Sequence, residues 1–248
     1  MKDINYYDTL CSQMYNILHN EAPEDELNFY LSYAQKKQNI LEPMCGNGRF
    51  MVPFIKKGYN IYGIDFSSQM LNKLKEKIPD AQVTCIDILD FNPNTLYDYI
   101  FIPSGSVSLF TNIDLCLAVL KKINSILSAN GKFVFAVDTI ATRQIDNNNY
   151  TITATVKTEK DYEIILKNKS YYDEKNQTQY LPSIYELYQN TTILKTEYMD
   201  FQIHLYKFGE MEKYLKETGF KNIFTYSSFN KDISTGNNSE MFIYECSK

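Results

Sequence analysis

The 248-residue chain is 44% apolar and carries 25 Lys and Arg against 30 Asp and Glu, a formal charge of −5. The apolar share excludes a disordered chain, and the length suits one large α/β domain or two small ones. The acidic balance, without a dense Lys/Arg run, argues against a nucleic-acid backbone as partner.

No stretch approaches the ~18 apolar residues of a membrane span. The polar start MKDINYYD has no signal-peptide core. The five cysteines, Cys11, Cys45, Cys85, Cys116 and Cys246, are scattered singly and never form C-x-x-C. Free thiols, a reducing cytoplasmic setting and no bound metal are the expectation.

The first 35 residues read as helix, with Leu10, Met14, Ile17 and Leu18 at helical spacing and a fresh start at Pro23-Glu24-Asp25-Glu26. A strand follows at 39–42, then a helix over Asn47–Lys57 that contains Pro53. The second strand is 60–65. Ser67 then caps a helix with Met70, Leu71, Leu74 and Ile78 on one face, which Pro79 stops. Strands three and four are read at 81–87 and 97–103, the latter ending in Pro103-Ser104-Gly105-Ser106. The stripe Leu115, Cys116, Val119, Leu120, Ile123, Ile126, Leu127 marks another helix, and 132–138 a buried fifth strand. Right-handed β-α winding predicts a parallel sheet covered on both faces.

Beyond Asp138 the period changes to two: Ile152, Ala154 and Val156, then Met199, Phe201, Ile203 and Leu205, alternate with polar residues. This predicts a three- or four-stranded antiparallel insertion over 145–206. A helix with Met211, Tyr214 and Leu215, Gly219 at its end and two last strands complete a single domain of residues 1–248.

Three acids, Glu42, Asp65 and Asp87, fall at the ends of the first three strands, where an open parallel sheet binds its ligand. Gly46 and Gly48 bring backbone N–H groups to that end, and Asp65 lies 19 residues beyond Gly46, the spacing of an acid that takes ribose hydroxyls. An adenosine-containing ligand is expected. A dinucleotide would want a third glycine where Met51 stands, and its pyrophosphate would meet Glu42. A sulfonium cofactor turns Glu42 into an attraction.

E-x-x-C-G-x-G at 42–48, G-I-D-x-S-x-x-M-L at 63–71, C-I-D-I at 85–88 and the late LKETGF at 215–220 together resemble the class I S-adenosylmethionine-dependent methyltransferases. The resemblance implies a Rossmann-like seven-stranded sheet in the order 3-2-1-4-5-7-6, with the seventh strand antiparallel. It further implies that Gly46 and Gly48 shape the loop around the methionine portion, with Glu42 beneath. Asp65 would bind the ribose; Phe66 and Met70 would pack on adenine; Asp87 and the Ile88 backbone would read its edge. Met44 stands where the family usually has Gly or Ala. Pro103, opening the loop after strand four, and Met44 are counted with the cofactor contacts. Tyr7 and Tyr15 are candidates for an aromatic lid over the cofactor, with a plain amphipathic helix as the other reading.

The 103–106 loop matches neither the Asn/Asp-Pro-Pro-aromatic run of adenine or amide enzymes nor the Pro-Cys of cytosine-carbon enzymes. The β insertion resembles that of the glycine/sarcosine and nucleotide-sugar amine methyltransferases. A small-molecule N or O acceptor is therefore expected, handled by a monomer or homodimer. His204 falls with Tyr198, Asp200 and Gln202 on a polar strand face that either lines the cleft or meets solvent; it is the candidate catalytic residue. Tyrosines of the insertion form either an aromatic box for an amine or ordinary sheet packing. Cys45 reads as structural, and Arg49 as partner of an acid or of the cofactor carboxylate. A nicotinamide oxidoreductase and a catalytically silent cofactor-binding protein are the alternatives.

Overall fold

The computed structural model describes residues 9–158 and 160–248. Tyr7 of the expected lid lies outside them. Two helices, α1 (Thr9–Leu18) and α2 (Glu24–Leu31), precede β1 (Ile40–Pro43), α3 (Met51–Lys56), β2 (Ile61–Asp65), α4 (Ser68–Lys77), β3 (Val83–Cys85), β4 (Tyr97–Ile102), α5 (Ile113–Ile126) and β5 (Leu127–Asp138). Four strands follow, β6 (Asn147–Lys157), β7 (Glu163–Asp173), β8 (Thr178–Gln189) and β9 (Thr192–His204). The chain then runs through α6 (Glu210–Glu217), β10 (Lys221–Tyr226) and β11 (Met241–Ser247).

The large sheet has the order β3-β2-β1-β4-β5-β11-β10, with β11 antiparallel to both neighbours and the first five strands parallel. This is the expected order 3-2-1-4-5-7-6. Alternate residues of each central strand feed opposite cores, as the two-residue pleat requires. Leu41, Ile100, Phe133 and Phe135 meet α5 and α6 on one side. Ile40, Phe101 and Val134 meet α2, α3 and α4 on the other.

Two elements are shorter than the sequence reading. The helix expected from Asn47 begins only at Met51, because Gly46 and Gly48 both take positive φ and the Gly48 N–H closes a turn onto the Cys45 carbonyl. Pro53 then falls in the first helical turn, where its missing N–H leaves no intrahelical bond unmade. The third strand keeps only Val83–Cys85 of the expected 81–87, since it pairs on one edge alone.

The insertion is a four-stranded antiparallel sheet in the order β6-β7-β8-β9. One face of it, including Val156, Ile164, Tyr185 and Met199, is covered by Leu10, Cys11 and Met14 of α1. The Leu10 N–H also donates to Glu197 Oε2 at 2.7 Å. Helix α1 therefore spans from the insertion to the glycine loop, where Asn16 and the His19 carbonyl accept from Asn47 Nδ2 at 3.1 and 3.2 Å.

The polar face of β9 divides along its length. Tyr198 and Asp200 are exposed, but Gln202 and His204 are buried. The alternation expected from sequence is present; what it could not show is that this end of the strand lies against Thr111 and the start of α6. Gln202 Oε1 accepts from Thr111 Oγ1 at 3.3 Å, and His204 packs edge-on against Tyr206 with ring centroids 4.5 Å apart.

Candidate functional site

At the carboxyl edge of the large sheet a pocket opens between the β1 loop and the loop after β4, with Tyr15 of α1 on its rim. Glu42, Met44, Gly46, Pro103 and Ser104 line it. Met44 holds the left-handed conformation, φ 58°, in which glycine carries no Cβ strain; a side chain there costs on the order of 1 kcal/mol. The strain sits inside the pocket wall, at the position where the sequence departs from the family pattern.

Asp65, at the end of β2, uses both carboxylate oxygens on backbone. Gly46 N–H donates to Oδ2 at 2.8 Å and Ser67 N–H to Oδ1 at 2.7 Å. Burial pushes its pKa up, and those two donors oppose the shift. Met70 lies under the loop, its methyl 3.2 Å from where a Cβ on Gly46 would stand. Gly48 serves packing instead: a Cβ there would come within 2.6 Å of Leu74 Cγ on α4.

Phe66 is 52% exposed just past β2, while Asp87 is exposed beyond β3 and accepts the Leu89 N–H at 2.8 Å. Ile88 is buried in the core under α5. These residues continue the carboxyl edge on the far flank of the glycine loop.

Glu42 is the electrostatic centre. Its side chain is 1% exposed, and Oε2 has no hydrogen-bond partner among the described residues. Burial drives its pKa well above the ordinary glutamate value, and the Arg49 charge pulls it back. A buried carboxylate with an unmet oxygen is costly unless a donor or cation reaches it. The donor set thus fits a ligand that brings positive charge and N–H groups. It would repel a pyrophosphate.

Arg49 shows where its charge goes: Nη2 donates to Ser104 Oγ at 2.6 Å, and the guanidinium lies 5.7 Å from the Tyr15 ring centroid. Ser104 is held from the other side by Glu26 of α2, whose Oε1 accepts the Ser104 N–H at 2.7 Å. Glu26 was missed by sequence reasoning, since an acid in a helix's first turn reads as a solvated helix start. Asn47 was missed too; its side chain is buried and links the loop to α1.

Cys45 is buried, with its thiol pKa raised by desolvation, as a packed residue should be. His204 does not line this pocket. It is 1% exposed, and its Nε2 lies 2.8 Å from Glu210 Oε1 at the start of α6.

Residues 40–131 match the family described as "Methyltransferase domain". The chain is 32% identical over 117 residues to malonyl-(acyl-carrier protein) O-methyltransferase 1 of Ilyobacter polytropus, a match over 45% of this chain and 42% of that protein. The chain spans about half the length of the curated relatives it matches. Among solved structures, an S-adenosylmethionine-dependent methyltransferase from Clostridium acetobutylicum superposes with TM-score 0.76 at 18% identity, over 94% of this chain and 96% of that one. The sugar N-methyltransferase KedS8 of a Streptoalloteichus species superposes with TM-score 0.72 at 12% identity, over 98% and 97%. Identities this low speak for the fold. Residues 40–131 thus carry a methyltransferase domain match, and the strand order is the fold of solved S-adenosylmethionine-dependent methyltransferases.

Proposed function

We propose that this chain methylates a small molecule at nitrogen or oxygen, with S-adenosylmethionine as the donor. The observation that carries the reading is Glu42: a buried carboxylate with an unpartnered oxygen, set in the wall of a pocket at the carboxyl edge. A nicotinamide cofactor would bring its pyrophosphate to that carboxylate, which weighs against the oxidoreductase alternative. When bound, S-adenosylmethionine supplies a methyl group on a positively charged sulfur that departs as a neutral thioether.

The chain's own part is binding, alignment and exclusion of water. In this reading Glu42 attracts the cationic end, Gly46 and Met44 form the loop against it, and Asp65 takes the ribose hydroxyls on its remaining lone pairs. Phe66 and Met70 pack on adenine, with Asp87 and the Ile88 backbone at its edge. Tyr15 and Pro103 close the opposite wall. The insertion, residues 145–206, covers the acceptor, joined to the cofactor loop through α1. His204, the sequence candidate for catalysis, enters as a positioning residue that fixes the β9–α6 junction.

KedS8 is a sugar N-methyltransferase and the Ilyobacter relative an O-methyltransferase, so both acceptor atoms belong to the reading. Calorimetry with S-adenosylmethionine, S-adenosylhomocysteine and NAD tests the cofactor: the first two should bind and NAD should not. Binding of NAD alone would sink the reading. Methyl-labelled cofactor incubated with a metabolite extract should give a labelled product; binding without any label transfer would leave a silent cofactor-binding protein.

A further inference from the structure

The loop after β4 touches a carboxylate that the cofactor reading does not use. Asp138 ends β5 on the same sheet face as Val134 and Ala136, the face that carries Phe101 of β4 and Ile40 of β1. Glu42, two residues beyond Ile40, shares that face, so two acids of this edge flank the Ser104–Ser106 loop from opposite sides. The contact with the loop is close. A Cβ placed on Gly105, itself at φ +67°, would lie 2.6 Å from Asp138 Oδ2, so any side chain here would be strained and would push the carboxylate aside.

The carboxylate has no cationic partner among the described residues: no Lys, Arg or His forms an ion pair with Asp138. Ser108 is bonded to this residue through its hydroxyl, which accepts the Asp138 N–H at 2.8 Å. Met241 lies opposite it on β11, and the Tyr206 N–H donates to its backbone carbonyl at 3.0 Å; neither side chain is charged at neutral pH. Desolvation raises its pKa to about 6, opposed by the Ser108 hydroxyl and by Asp138's own backbone N–H acting on the carboxylate. At neutral pH Asp138 is therefore an ionised, partly desolvated carboxylate without a cation, where the β4 loop, β5 and the exit of β9 meet.

We propose that Asp138 binds the methyl acceptor and that the acceptor presents an amine to it. The inference rests on the methyl-transfer reading and narrows it to nitrogen. A carboxylate here attracts an ammonium group into the cleft and accepts a hydrogen bond from the neutral amine. A hydroxyl acceptor gains only the weaker, uncharged bond.

The test uses the whole chain with carbon-13-labelled aspartate, saturated with S-adenosylhomocysteine. The Asp138 signal is assigned by its loss in Asp138→Asn. Its titration midpoint is followed with methylamine, ethanolamine and glucosamine, each beside its hydroxyl counterpart: methanol, ethylene glycol and glucose. At least one amine should lower the midpoint by about one unit or more, the effect of an opposite charge within 4–6 Å, and no hydroxyl counterpart should. If no amine moves it, or the hydroxyl compounds move it equally, the proposal is overturned. Calorimetry on the same samples separates the two readings. Failure to bind S-adenosylhomocysteine overturns the methyl-transfer reading and this one with it, whereas binding without an amine effect overturns this one alone. In Asp138→Asn, label transfer to the amine that moved the midpoint should fall about a hundredfold, while affinity for S-adenosylhomocysteine stays within about twofold. An equal fall in both would reduce Asp138 to a structural support of the loop.

Discussion

The Gly46 N–H donates to Asp65 Oδ2 at 2.8 Å, so the first turn of the glycine loop is pinned to the end of the neighbouring strand. With Ser67 N–H on Oδ1, the carboxylate organises the loop before any ligand arrives. Asp65→Ala should therefore cost both stability and affinity. Two charge-assisted bonds of about 1.5–3 kcal/mol each are lost, partly offset by water, for a net loss of about 2–4 kcal/mol in urea unfolding. Calorimetric affinity for S-adenosylhomocysteine should fall at least about a hundredfold. Unchanged stability would show that the two backbone bonds carry no weight in the free protein.

Glu42→Gln should do the opposite to the free protein. Burial raises the pKa of Glu42, so the folded chain holds its proton more tightly than the unfolded one. Stability from this residue is present at low pH and is lost as pH rises above the ordinary glutamate value. Glutamine keeps the shape and carries no charge to desolvate. The variant should melt at or above the parental temperature at pH 7, with a flatter dependence on pH. It should nevertheless bind S-adenosylmethionine about a hundredfold more weakly, because the cation loses its counter-charge. A variant that binds the cofactor as well as the parent would remove Glu42 from the site.

The β-α alternation and the glycine loop were legible because both are written in local signals, whereas the strand order came with the family resemblance. Short apolar runs end at acids, Ser67 caps α4, and Asp65 falls at ribose spacing from Gly46. Glu26, Asn47 and the fate of His204 were not. Glu26 acts on Ser104, 78 residues away, and nothing local marks an acid in a first helical turn as buried. Asn47 is the free position of a glycine motif. For His204 the alternation names the face correctly, but which neighbour covers a strand face is decided by how the insertion docks. Asp138 was read only as the last residue of a buried strand, since its contact with Gly105 exists only once β4 and β5 lie side by side.

Glu26 positions the loop that closes the pocket. Its Oε1 takes the Ser104 N–H at 2.7 Å, while burial raises its pKa against the pull of that bond and of Arg49. Glu26→Ala leaves the Ser104 N–H without its acceptor and should cost about 1–3 kcal/mol. Limited proteolysis should then cut the 103–109 loop faster, and Glu26→Gln, which keeps an acceptor oxygen, should restore most of the protection. Equal cleavage in the Ala variant and the parent would mean that the loop is held by Arg49 alone.

His204 is tested by separating support from chemistry. Its Nε2 meets Glu210 Oε1 at 2.8 Å, and Glu210 also accepts from Tyr214 Oη at 3.0 Å, the Lys207 N–H at 3.0 Å and Gln177 Nε2 at 3.2 Å. Although burial pushes Glu210 up, the bonds from His204, Lys207 and Tyr214 hold its pKa below the ordinary glutamate value. The stability it contributes is thus present above that value and is lost as pH falls through the depressed one. His204→Ala removes a buried ring and one of these donors, and should destabilise the fold by about 2–4 kcal/mol. His204→Gln retains an N–H donor and should recover about half of that. In both variants the affinity for S-adenosylhomocysteine should match the parent, since the cofactor loop lies on other strands. The decisive measurement is label transfer by the folded Gln variant: a rate within about fivefold of the parent assigns His204 to support of the β9–α6 junction, whereas a loss of about a hundredfold or more, with stability retained, restores it as a catalytic base.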